Sequence, residues 1–162
     1  MSLTESEKAP TTATGGAPAV VSESDPRFQI AASRRILHRE GLDSQVGGHV
    51  SLRVPGEEAF LVTPPFQYFD ETLPEHVSKV GFDLTVIEQG TLPASPGINF
   101  HASIYAARTD VNCVIHTHAK NMSVLSTTGE PYGVYYDYAS LLLDDVVPWI
   151  DDPNLVPSEE AT

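Results

Sequence analysis

The 162-residue sequence predicts an α/β fold in which an antiparallel-leaning sheet is flanked by helices. Three observations carry that reading. Phe28, Ile30, Ala31, Ile36 and Leu37 recur at roughly helical spacing. His49–Val54 alternates in polarity and is followed by a Pro55-Gly56 turn and a second apolar run, the pattern of two strands joined tightly. Val111–His118 is almost continuously apolar until it ends in two histidines, as expected of a strand central in its sheet.

Each element has a local reason. Residues 1–24 are dominated by Thr, Ala, Gly, Pro and Ser without an aromatic residue, a composition that reads as a disordered tail. Residues 25–162 are expected to form the folded domain. Asp25-Pro26 supplies an N-cap followed by proline at the first helical position, and Gly41 supplies the stop. Arg34, Arg35 and Arg39 read as a solvated face of that helix. After Ala59–Val62, the stretch Leu73–His76 reads as a short helical turn. Lys79–Phe82 and Leu84–Ile87 read as two short strands flanking Asp83. Asn99–Arg108 is expected to be helical with Phe100, Ile104 and Ala107 on one face, and a further helix begins at Asn121. From Tyr132 the chain is rich in Tyr and Leu before two acidic pairs.

Composition narrows the function classes. Nine Lys+Arg stand against 22 Asp+Glu, a formal charge of −13 that repels phosphate backbones and anionic lipid. Nucleic acid and membrane are therefore poor partners. No apolar stretch approaches the ~18 residues of a membrane span, and the acidic N-terminus is unlike a signal peptide, so a cytoplasmic protein is expected. The single cysteine, Cys113, excludes an internal disulfide and, with apolar neighbours, reads as a buried inert thiol.

The sharpest chemical feature is His116-Thr117-His118. Residues i and i+2 of a strand share a face, so both imidazoles project together, as a Zn²⁺ or Fe²⁺ ion requires of neutral nitrogen ligands. A satisfied non-metal pair is the competing reading. A catalytic metal site wants a third ligand, and no histidine follows His118. His101 is a candidate third ligand or a core histidine behind the pair, whereas His49, after two glycines, sits either in a pocket or on an exposed loop. His38 and His76 read as surface residues. Ala94-Ser95-Pro96-Gly97 precedes the His101 helix, where small residues can offer backbone N–H groups to an anion, and Thr63-Pro64-Pro65 ends a strand.

Taken in order, these residues resemble the class II aldolase/adducin family. The matching runs are Gly48-His49-Val50-Ser51-Leu52-Arg53, Leu61-Val62-Thr63-Pro64, His101 through Arg108, and Asp110 through His118. The resemblance implies an α/β/α sandwich with a central, mostly antiparallel sheet, and a homo-oligomer, usually a cyclic tetramer with active sites between subunits. It also implies a divalent metal on His116 and His118, a small-molecule substrate near Gly48, Thr63, Ser95 and Gly97, and His101 supporting the site from behind.

Three departures shape the expected activity. Counting back from His101, the acid/base glutamate of the family's sugar-phosphate aldolases falls on Gly97. The asparagine of their phosphate loop falls on His49, and of their serine pair only Ser95 remains. Their third metal histidine lies well downstream, so the domain reads as incomplete at its C-terminal end. What remains is Lewis-acid chemistry on a 2-oxo or 2-hydroxy acid, by C–C cleavage or decarboxylation, with His49 as acid or base. The alternative is the branch assigned non-haem-iron oxygenase chemistry on a prenylated 4-hydroxyphenylpyruvate in aminocoumarin antibiotic biosynthesis. A non-catalytic, adducin-like scaffold is a third reading.

Overall fold

The computed structural model describes residues 21–43, 45–95 and 97–129. Most of the expected N-terminal tail and the Tyr- and Leu-rich stretch from Tyr132 lie outside the described residues. Helix α1 spans Pro26–Arg39, and Asp25 accepts the Arg27 N–H as its N-cap. At its far end Gly41 adopts φ +69° and the Leu42 N–H turns back to the Leu37 carbonyl, which closes the helix at the expected glycine.

Strands β1 (His49–Arg53) and β2 (Ala59–Val62) form the expected antiparallel hairpin, with Gly56 at φ +76° in its turn. Single 3₁₀ turns at Phe69–Glu71 and Pro74–His76 lead to β3 (Ser78–Gly81). Strand β4 is Val86–Glu88, later than the sequence predicts, because Leu84 sits in the intervening turn at φ +67°. Helix α2 covers Asn99–Ala107, β5 covers Cys113–His116, and α3 covers Lys120–Ser126. The strands pair antiparallel throughout, in the order β4-β3-β2-β1-β5.

Both faces of the sheet's middle are covered, as a layered sandwich requires. Ile30 of α1 packs with Val50, Leu61 and Val77 on one face. Ala102 and Tyr105 of α2 pack with Phe60, Val62 and Val80 on the other. All four residues of β2 are consequently buried, and the period-2 rule sends His49, Ser51 and Arg53 toward α2. Arg53 closes that layer by donating to the carbonyls of Tyr105, Arg108 and Val111.

Several expectations fail, for physical reasons. Strand β5, expected to be central, ends the sheet among the described residues, and Cys113 on it is exposed rather than buried. Arg34 is not solvated but fully buried, whereas the apolar Ile36 is 59% exposed. Position 34 continues the inward stripe of Ile30, and the guanidinium finds polar partners there; position 36 falls on the opposite side. On α2 the buried residues are His101, Ala102 and Tyr105, not the apolar set Phe100, Ile104 and Ala107. The polar members of that face are satisfied by hydrogen bonds, a compensation that hydrophobic periodicity does not register.

Candidate functional site

Pairing between β1 and β5 places His49 directly opposite His116. The two rings lie 5.0 Å apart, centroid to centroid. Gly48 makes this approach possible. It sits at φ +98°, and a Cβ there would come within 2.3 Å of the His116 carbonyl oxygen. His118 lies just past the end of β5, yet its ring stays 4.7 Å from that of His116, with the two Nε2 atoms 3.0 Å apart. His101, from α2, reaches the same place: its Nε2 is 3.3 Å from His49 Nδ1. Phe100 walls the cluster, 4.4 Å from the His101 ring and 5.1 Å from the His116 ring.

The fold thus brings together all four histidines that the sequence singles out in this region. His49 is buried at the start of β1, not exposed on a loop. His38 lies outside the cluster and bonds Asp43, which raises its proton affinity, while His76 accepts the Leu73 N–H. Thr63 is buried, and its hydroxyl accepts the Val50 N–H, fixing the strand beside His49. Ser95 is buried and Gly97 half-buried in the segment that leads into α2.

Electrostatics disfavour protonation of His49, His101 and His116. Burial, then the nearby His116, Arg34 and His118, lower the His49 pKa to about 3. Burial, then His49 and His116, lower that of His101 to about 3. His116 is lowered as well, by burial and by His118. Neutral imidazoles are the form that binds metal, and ligands at about 2.0–2.1 Å from one ion sit roughly 2.9–3.4 Å from each other. The 3.0 Å spacing of His116 and His118 fits that requirement. Among the described residues no group of three His, Cys, Asp or Glu side chains could hold a metal ion, so the pair could offer at most two donors of the usual three. His116 Nδ1 is also buried without a hydrogen-bond partner among the described residues.

Three residues, Ser51, Tyr105 and Arg34, escape sequence reasoning about the site. Ser51 Oγ lies 2.7 Å from His101 Nδ1 and 2.7 Å from the Tyr105 hydroxyl, and all three residues are buried. The signal was present as spacing: His49 and Ser51 share a strand face, and His101 and Tyr105 share a helix face. Arg34 is the other surprise. It donates to the Pro64 carbonyl at 3.0 Å and to the Gln67 carbonyl at 2.8 Å, so it holds the segment that follows Thr63.

Comparison with known proteins agrees with this architecture. A protein of Caulobacter vibrioides, provisionally named an aldolase class 2 protein, is 29% identical over 141 residues, covering 76% of this chain and 55% of that protein. Rat α-adducin is 26% identical over 151 residues, covering 83% of this chain but 20% of the adducin. Among solved structures, L-fuculose 1-phosphate aldolase from Glaciozyma antarctica superposes with a TM-score of 0.60 at 28% identity, covering 65% of this chain and 44% of that one. The chain therefore spans about half or less of the length of these relatives. The family model for the class II aldolase and adducin N-terminal domain matches residues 28–161, and the chain belongs to that family.

Proposed function

We propose that the protein is a divalent-metal-dependent lyase that cleaves a C–C bond in, or decarboxylates, a 2-oxo or 2-hydroxy acid. The observation that carries this reading is the His116–His118 pair, with its Nε2 atoms 3.0 Å apart at the end of β5. His116 and His118 would hold the metal, zinc or iron. Bound there, it would supply Lewis-acid stabilisation to the negative charge that develops on the substrate oxygens. His49, opposite His116, meets the substrate, with Gly48 and Thr63 shaping its side of the site and Ser95 and Gly97 the other. Gly97 has no side chain that moves a proton, which separates this site from one built around a glutamate at that position. Because burial lowers the His49 pKa to about 3, His49 acts as a neutral imidazole rather than as a stored acid. Residues 25–162 constitute this catalytic unit's share of the domain, which works as a homo-oligomer, a tetramer by family likeness, in the cytoplasm.

Elemental analysis of anaerobically purified wild type and His116→Ala, with turnover on simple 2-oxo and 2-hydroxy acids, tests the reading. Stoichiometric zinc, manganese or cobalt that disappears in the variant, with turnover, supports the lyase. Stoichiometric iron with oxygen-dependent turnover replaces it by oxygenase chemistry. No metal in either protein overturns both and leaves a non-catalytic role of the kind that the likeness to adducin brings into view.

A further inference from the structure

The buried polar contacts behind His49 form a continuous line whose hydrogens can be counted. Tyr105 OH and Ser51 Oγ are 2.7 Å apart, Ser51 Oγ and His101 Nδ1 are 2.7 Å apart, and His101 Nε2 and His49 Nδ1 are 3.3 Å apart. Each hydroxyl has one hydrogen, and each neutral imidazole has one. If Tyr105 donates to Ser51, Ser51 donates to His101 Nδ1, which leaves the His101 hydrogen on Nε2, aimed at His49 Nδ1. Every contact in the line is then a donor facing an acceptor. In the reverse sense His101 Nδ1–H donates to Ser51. Ser51 then has either the Tyr105 oxygen, stranding the buried Tyr105 hydrogen, or the Val114 carbonyl at 3.5 Å, the limit of a hydrogen bond. A buried donor without an acceptor keeps its desolvation cost uncompensated, so the first sense is preferred.

We propose that Tyr105, Ser51 and His101 form a directed hydrogen-bond chain that fixes His49 as its Nε2–H tautomer, so that His49 meets the substrate as a hydrogen-bond donor. This rests on the reading above in which His49 contacts substrate, and it makes Ser51, His101 and Tyr105 positioning residues. A donor at that place suits a substrate carboxylate or a developing oxyanion, both of which only accept. It excludes His49 Nε2 as the atom that takes a proton from the substrate.

The test is ¹⁵N spectroscopy of the histidine side chains in the full chain, as purified and again after chelator treatment. Wild type is expected to show His49 and His101 as Nε2–H tautomers, with His101 Nδ1 carrying the shift of a nitrogen that accepts a hydrogen bond. In Ser51→Ala that Nδ1 resonance moves to the position of an unbonded imine nitrogen, and Tyr105→Phe moves it the same way by less. An Nδ1–H tautomer at either histidine in wild type overturns the proposal without need of any variant. So does a His101 Nδ1 resonance that either substitution leaves in place. Metal content is expected to be equal in wild type and Ser51→Ala. A protein that binds no metal yet shows these tautomers therefore fails the lyase reading while keeping the chain.

Discussion

On the α1 side of the sheet, Arg34 is wholly enclosed: its guanidinium donates to two carbonyls and stacks 4.0 Å above the Phe69 ring. On the α2 side the polar groups are imidazoles facing one another: the hydrogen-bonded line ends at His49, whose ring lies 5.0 Å from that of His116 in the His116–His118 pair. Burial lowers the Arg34 pKa only to about 10, so this group is a cation at neutral pH, whereas the same effect leaves His49 and His101 uncharged. The difference separates a polar group used to build from the polar groups to which the proposed metal and substrate are assigned. Arg34 spends both terminal guanidinium nitrogens on the chain's own backbone, while its Nε is buried without a hydrogen-bond partner among the described residues. The histidine pair keeps two nitrogens turned toward each other with nothing of the described backbone between them.

If that contrast is right, the largest loss of stability lies on the Arg34 side. Arg34→Met keeps the stem but removes both charge-assisted hydrogen bonds and leaves two carbonyls without donors. Hydrogen bonds from charged groups contribute about 1.5–3 kcal/mol, so a loss on the order of 3–5 kcal/mol is expected in urea unfolding. Arg34→Lys recovers only part of it, because one ammonium lacks the planar fork that reaches both oxygens. A change under about 1 kcal/mol for Arg34→Met would break the comparison.

Gly48→Ala strikes the other side. The methyl group would collide with the His116 carbonyl, and φ +98° is strained for alanine, so the strands must shift where His49 meets His116. A cost of about 2–3 kcal/mol is expected. Unlike Arg34→Lys, this variant is expected to lose metal in proportion well beyond its loss of stability, which equilibrium dialysis measures.

How much of this was legible in the residues differs between the two sides. The hairpin, the caps of α1 and the His116–His118 pair rest on local rules, and the sequence displays them directly. Pairing of β1 with β5 is a long-range event, so nothing near His49 announces His116 as its neighbour. Arg34 was misread because a periodicity argument assigns charged positions to solvent, while the fold supplied it with carbonyls from residues 64 and 67. The buried face of α2 was assigned to Phe100, Ile104 and Ala107 for the same reason: Ser51, the partner that satisfies His101 and Tyr105, comes from another element.

Acid separates the two sides without any mutation. His101 titrates near 6.5 when unfolded but at about 3 when folded, so the unfolded chain takes up a proton that the native state refuses. Stability is therefore unaffected above pH 6.5 and falls as pH drops below it, by about 1–2 kcal/mol for His101 between pH 7 and 5. His49 adds to the loss in the same direction. Arg34 keeps its proton throughout that window and contributes nothing to the slope. Replacing His101 by Asn is expected to flatten the acid limb of melting temperature against pH, whereas Arg34→Lys lowers the whole curve without changing its shape.

The smallest effect belongs to the neighbour of the buried arginine. Arg35 is exposed on α1, one position along the helix from Arg34 and about 100° around it. The two carry the same charge and the same stem, so composition cannot rank them. Arg35→Ala removes a solvated side chain and replaces it with a better helix former, and a change within about 0.5 kcal/mol is expected. Placed beside Arg34→Met under the same urea titration, the pair isolates enclosure from charge. Equal losses at both positions would mean that the helix needs basic residues wherever they sit, and that the two carbonyl contacts of Arg34 are incidental to its stability.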